Sequence, residues 1–230
     1  MADYPVVFDV QRPEKFERPQ MALRIVIGII AYFILSWVGG ILYLIFPAVA
    51  AVLTSQKGGE KYLEEDGPRV AGWIRWVVAI YAYLIVLVDK FPTEKPEEIV
   101  RFDVRTTGSP TVGSALLRLI YSIPSALVLG LLSIVGLVVL LIAVISVLIN
   151  ETYPEGLYNF QRGLLRWEAR LLGYHASLVG EYPPFALDTG PESGGAPVSA
   201  APPSAPEPPA APPPAATPEP PSDEGPAQGS

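Results

Sequence analysis

Three arginines spaced four apart, Arg162, Arg166 and Arg170, with Trp167 among them, form the densest chemistry in the chain. On a helix this spacing sets the three guanidinium groups along one face. Guanidinium groups beside an indole suit phosphate oxygens at a membrane boundary. The expectation is contact with anionic lipid headgroups through Arg162, Arg166, Arg170 and Trp167, and through Arg75 and Trp76 earlier in the chain. Asp9 and Asp103 each lie inside a Phe-Asp-Val triplet and are expected to form structural ion pairs with Arg24 and Arg118. His175 is the only imidazole, and no nucleophile motif accompanies it; it reads as a polar-face residue of an interfacial helix, not a general base. Glu168 is expected to neutralise an arginine on another turn. Glu64-Glu65-Asp66 and Glu97-Glu98 read as solvated loops. With no cysteine and one histidine, disulfide frameworks, Cys/His zinc sites, iron–sulfur ligation and thiol catalysis are excluded. No catalytic residue, cofactor or metal is expected.

The elements that must position these residues are apolar. Half of the 230 residues are hydrophobic, mean hydropathy is +0.35, and only 17% are charged. The net charge of -7 is a tail effect: Asp188 to Ser230 holds six acids and no Lys or Arg, against 16 basic and 17 acidic residues in the remainder. A nucleic-acid partner would call for a basic surplus, and none is present. Ile25 to Thr54 and Leu119 to Ile149 contain no ionisable side chain beyond the tyrosines. Roughly 20 helical residues cross the hydrocarbon layer, so both stretches are expected to be membrane-embedded. The block from about 188 to 230 holds 14 of the 26 prolines, mixed with Ala, Ser, Gly and acids, and is expected to be a disordered, partly polyproline-II tail.

The chain also repeats itself. Phe8-Asp9-Val10 recurs as Phe102-Asp103-Val104 and Leu23-Arg24 as Leu117-Arg118, both at an offset of 94. Beyond the apolar stretch the offset becomes 91: Tyr62 matches Tyr153, Gly72 matches Gly163, Arg75-Trp76 matches Arg166-Trp167, Tyr83 matches Tyr174 and Phe91-Pro92 matches Tyr182-Pro183. Duplication followed by a three-residue indel leaves this trace. The fold expected is an all-α integral membrane protein of two tandem repeats, 1–92 and 93–187. Each repeat has a short strand, a long membrane helix and a second amphipathic or spanning helix. The two strands are candidates to pair across a pseudo-two-fold axis.

The second helix of the second copy has an apolar stripe at Leu157, Phe160, Leu164, Trp167, Leu171, Tyr174 and Leu178. In the first copy the stripe persists as Trp73, Trp76, Ile80, Tyr83 and Leu87, but only Arg75 remains of the three arginines. Two topologies fit. Four crossings divide the basic residues nine to seven in favour of a cytoplasmic N-terminus. Two tight hairpins, turning at Gly39-Gly40 and between Gly130 and Gly136, would put all sixteen on one side; Pro47 and Pro124 would instead kink continuous helices. Fifteen-residue crossings are short for a bilayer, so about four membrane helices are preferred. Both termini then lie in the cytoplasm.

The run Arg118-x5-Pro124, Tyr153-Pro154-Glu155-Gly156-Leu157-Tyr158-Asn159-Phe160, Leu165-Arg166-Trp167-Glu168-Ala169-Arg170 and Glu181-Tyr182-Pro183-Pro184-Phe185-Ala186-Leu187 resembles the bacterial domain-of-unknown-function family 4389. The resemblance covers about 98–187 well and about 4–92 more weakly. The first copy departs at Phe91-Pro92-Thr93 and at Gly72-Trp73-Ile74-Arg75-Trp76-Val77, which lack the full ending, the acid and the second arginine. The resemblance implies a bacterial inner-membrane protein, with no activity attached.

The leading expectation is a non-enzymatic, multi-pass scaffold that contacts lipid, with a protein partner reached through its tail or membrane helices, or a homo-oligomer. The alternative is a transporter or lipid-handling protein with a path between the two copies, lined by small residues such as Gly39, Gly40, Gly130 and Gly136. An ion-coupled pump is disfavoured because neither long apolar stretch carries a charge.

Overall fold

The computed structural model describes residues 4–10, 12–93 and 95–188; the side chains of residues 19–20, 22–23, 25–26 and 28–39, and residues 189–230 with the expected tail, lie outside that description. Strand β1 (Val6–Val10) leads into the long helix α1 (Arg18–Lys57). A short helical turn α2 (Gly59–Lys61) and a π turn (Tyr62–Asp66) then join α3 (Gly67–Leu84). Strand β2 (Val100–Val104), α4 (Val112–Tyr121), α5 (Ile123–Asn150) and α6 (Glu155–His175) complete the order.

Local chemistry sets the boundaries. Gly58 ends α1 at φ 84, a conformation that costs a glycine little, and its amide donates to the Thr54 carbonyl at 2.9 Å. Thr111 and Ser114 form a reciprocal capping box that opens α4. Pro124 sits in the first turn of α5, where its missing N–H is not needed, so it starts a helix and does not kink one. α5 then runs unbroken through Gly130 and Gly136, and α1 runs unbroken through Gly39, Gly40 and Pro47. The hairpin topology is therefore incorrect. A helix of 28 residues spans roughly 42 Å and has no reason to turn back within an apolar layer.

Among the described residues two helical stretches are long and apolar enough to cross a bilayer, Gly40–Lys57 and Ile123–Asn150. Only 28% and 22% of their residues are buried, so most of this apolar surface is not covered by the protein itself. α3 and α6 do not reach that length and apolarity.

β1 and β2 pair antiparallel with Phe8 opposite Phe102 and Val6 opposite Val104. The two Phe-Asp-Val triplets thus meet only at their phenylalanines, Asp9 standing opposite Arg101 and Asp103 opposite Val7, with Val6, Phe8, Val100 and Phe102 turned into the core. α6 lies at the centre: it packs against β1, α1, α3, α4 and α5. α1 packs mainly along α4, and α3 packs on β2.

Candidate functional site: a cleft between the two halves

Five arginines, Arg24, Arg118, Arg162, Arg166 and Arg170, turn inward. Arg24 stacks on the Tyr83 ring at 4.0 Å, donates to the Val88 carbonyl at 2.8 Å and to the Asp89 carbonyl, and pairs with the Asp89 carboxylate at 3.1 Å. Arg118 stacks on the Tyr174 ring at 4.4 Å and donates to the Tyr174 and Val179 carbonyls at 2.6 Å each. Tyr83 and Tyr174, like Val88 and Val179, stand 91 apart, while the arginines stand 94 apart. The same correspondence holds on the strands. Arg75 donates to the Phe102 carbonyl at 2.7 Å and lies 3.7 Å from Asp103; Arg166 donates to the Phe8 carbonyl at 2.9 Å and lies 3.3 Å from Asp9. Val86 and Ser177, again 91 apart, both take left-handed backbone at φ 63 and 56 after α3 and α6.

Several expectations change here. Asp9 pairs with Arg166 and, at 3.9 Å, with Arg162, while Asp103 pairs with Arg75 and Arg101; the Asp9–Arg24 and Asp103–Arg118 pairs do not form. Arg162, Arg166, Arg170 and Trp167 are all buried, so their headgroup role is incorrect in this fold. Their face of α6 meets β1 and Asp188, whose carboxylate takes Arg170 at 2.6 Å. Arg75 is largely engaged with β2; of the six expected headgroup residues only Trp76 is exposed.

The opposite face of α6 closes a cleft of about 870 Å³ between α1 and α3 of the first half and α5 and α6 of the second. Leu42, Val77, Leu129, Leu140 and Leu164 give it apolar walls. Gly40, Gly130 and Gly136 line it too, and a side chain on Gly40 or Gly130 would meet open space. Gly136 differs: a Cβ there would stand 3.0 Å from Leu164 and 3.3 Å from the Gln161 amide oxygen, so this glycine lets α5 approach α6. Gly39 belongs to the α1 residues whose surroundings lie outside the described ones.

Polar groups are few and come mainly from α6. Gln161, Glu168 and His175 recur at intervals of seven on its cleft face. Gln161 is buried, with no hydrogen-bond partner for its amide oxygen. Glu168 faces the cleft and forms no ion pair among the described residues, so it does not neutralise an arginine; burial raises its carboxyl to about 7. His175 is fully buried with both ring nitrogens unpartnered, held edge-on to Tyr43 at 4.2 Å. Burial, and then the Arg118 charge, lower its imidazole to about 4, so it stays neutral near pH 7. From α3, the Tyr81 phenol is pushed up to about 12 by burial and then by Glu168. Among the described residues no group of three His, Asp or Glu is placed to hold a metal ion.

Sequence reasoning missed Glu168 and Gln161 as cleft residues and placed His175 on a solvated face. The available signal was the seven-residue interval of Gln161, Glu168 and His175 along the apolar stripe. At the corresponding positions 91 earlier stand Val70, Val77 and Leu84.

Residues 113–186, from the first turn of α4 to the aromatic–proline ending after α6, match the family model described as Domain of unknown function (DUF4389). No curated protein and no solved structure gives a match.

Proposed function

We propose that this chain is an integral membrane protein in which two copies of one module flank a lipid-facing cleft that receives an amphiphile, and that it acts as a lipid-handling or transport component. The observation that carries the reading is the cleft itself: apolar walls drawn from both halves, glycine-opened space, and a single row of unpartnered polar groups. An amphiphile needs both kinds of surface, whereas a helix packing site would be filled by side chains. The mostly uncovered apolar surfaces of Gly40–Lys57 and α5 support a surrounding bilayer. The matched Arg–Tyr–carbonyl contacts, at the offsets of 94 and 91 that the sequence repeat has on either side of its indel, support the two-copy origin.

A photoactivatable acyl lipid tests this in vesicles holding the full chain. Label should appear on α5 and α6 peptides and fall about tenfold in Gly130→Trp, whose indole would occupy the open space at Gly130. Absent labelling, or equal labelling in the variant, rejects the cleft. Bilayer placement has its own test, because the chain has no cysteine. A single cysteine at exposed Leu131 should resist an impermeant maleimide until detergent is added. Ready modification in intact vesicles rejects the membrane reading.

A further inference from the structure

The polar groups of the cleft narrow the head that an amphiphile can carry. We propose that the cleft takes an amphiphile with a neutral, hydroxylated head, of the acylglycerol or long-chain alcohol class, its hydroxyls hydrogen-bonded at Glu168 and Gln161. This rests on the reading of the cleft as an amphiphile site and adds the chemistry of the head.

Gln161, Glu168 and His175 recur two helical turns apart, so they form one row along the α6 wall. The Gln161 amide oxygen has no donor, and the Glu168 carboxyl has no ion-pair partner among the described residues. A buried acceptor such as the Gln161 oxygen is ordinarily satisfied, and leaving it unpaired is costly. Packing of the module does not require them, because Val70, Val77 and Leu84 stand at the matching positions of the first half.

The charges decide between heads. No Lys or Arg lines the cleft, so a carboxylate or phosphate head would meet Glu168 with no cation to offset the repulsion. An ammonium head would need Glu168 ionised against an apolar wall, and burial opposes that ionisation. Arg118, whose charge reaches His175, further disfavours a cation at that end. A hydroxyl avoids both conflicts. It donates to Gln161 and to an ionised carboxyl, and accepts from a protonated one. Among the described residues the other titratable groups on the cleft, Tyr43 from α1 and Tyr81 from α3, are phenols and add no charge near neutral pH. The volume, about 870 Å³, lies within the roughly 300–1,000 Å³ usual for small-molecule sites.

The test is competition against a diazirine-bearing monoacylglycerol, using the full chain in phosphatidylcholine nanodiscs. Monoolein should displace the label from α5 and α6 peptides at a concentration at least about tenfold below that of oleate or oleylamine, the ratio one hydrogen bond to the head supplies. Glu168→Gln, which keeps a hydrogen-bonding group, should bind monoolein within about threefold of the parent, and Glu168→Leu about tenfold more weakly. Displacement indifferent to the head, a preference for oleate or oleylamine, equal binding by Glu168→Leu, or a Gln variant as weak as the Leu variant each overturns the proposal. The competition series on the unmodified chain decides even where a variant does not fold. Head-indifferent labelling of the cleft leaves the amphiphile reading standing, whereas no labelling of α5 and α6 removes both.

Discussion

α3 and α6 occupy matching places and have different tasks. Each presents an arginine to a strand carbonyl, an aromatic ring to a buried guanidinium, and a left-handed residue after its last turn. α3 keeps one face outside, with Trp73 and Trp76 about half exposed, while nearly every residue of α6 from Tyr158 to His175 is buried. The shared contacts are those that hold a strand against a helix. The divergent positions are those that meet the cleft, where Val70, Val77 and Leu84 stand against Gln161, Glu168 and His175. The polar row of the cleft therefore comes from α6, in the second half.

The largest expected difference between the halves concerns the paired arginines. The Arg166 side chain is 1% exposed and bonds the Phe8 carbonyl and Asp9, whereas that of Arg75 is 29% exposed. Arg166→Leu strands the buried Phe8 carbonyl and leaves the part-exposed Asp9 with Arg162 alone at 3.9 Å, and should destabilise the fold by about 2–3 kcal/mol. Arg75→Leu breaks the same bonds where water can replace them and should cost about 1 kcal/mol. Unfolding titrations in mild detergent measure both, and equal losses would remove the distinction between an interior and a peripheral helix.

This pair also shows what was legible from the residues alone. The Arg-Trp and Phe-Asp-Val matches fall on both helices and both strands, and the two strands pair with each other. The apolar stripe of α6 was legible too, but not its surroundings. An amphipathic pattern reports two faces of unlike polarity, and a helix buried on both faces gives the same pattern as one floating at an interface. Its basic residues are all arginine, and arginine serves buried carbonyl and carboxylate forks as readily as headgroups. Asp9 lies 157 residues before Arg166, and only the fold brings them together. Gln161, Glu168 and His175 do not stand out as one row because each alone looks like a polar residue on a polar face.

The polar row should give the second half a pH response that the first half lacks. In the folded chain Glu168 holds its proton up to about 7, where an ordinary carboxyl releases it near 4.5. Between those values the folded state binds more protons than the unfolded state, so stability falls as pH rises from 4.5 to 7, by roughly 2–3 kcal/mol. His175 works in the opposite sense. Its imidazole titrates near 4 in place of 6.5, so stability is lost as pH falls from 6.5 toward 4. The two slopes offset each other between about 4.5 and 6.5. Glu168→Gln removes one of them, so its stability should rise from pH 4 to 6.5 and stay level above. A pH profile parallel to that of the parent chain would show that Glu168 does not titrate in this range. Val77→Ala, which adds no titratable group, should leave the shape of the profile unchanged.

Glycines in α5 sharpen the same contrast at smaller scale. A methyl at Gly136 would press on Leu164 at 3.0 Å, so Gly136→Ala should push α5 from α6 and cost about 1–2 kcal/mol. Gly130 has open space, and Gly130→Ala should be neutral or stabilise the helix by about 0.5–1 kcal/mol. Equal effects at the two sites would mean that α6 does not seat against Gly136.

The smallest effect concerns the two left-handed residues that end the matching helices. A side chain at φ near 60 carries about 1–2 kcal/mol of strain that glycine avoids. Ser177 is buried, and its hydroxyl has no hydrogen-bond partner, so Ser177→Gly relieves both burdens and should stabilise by about 1 kcal/mol. Val86 carries the same strain, but its isopropyl group is 2% exposed and packs in the core. Val86→Gly gains the backbone term and loses about 1.5–3 kcal/mol of apolar burial, so it should destabilise. Opposite signs at positions 91 apart, read from one pair of denaturation curves, are what a shared backbone with divergent packing requires. Two changes of the same sign would mean that one of the turns is not built as its counterpart is.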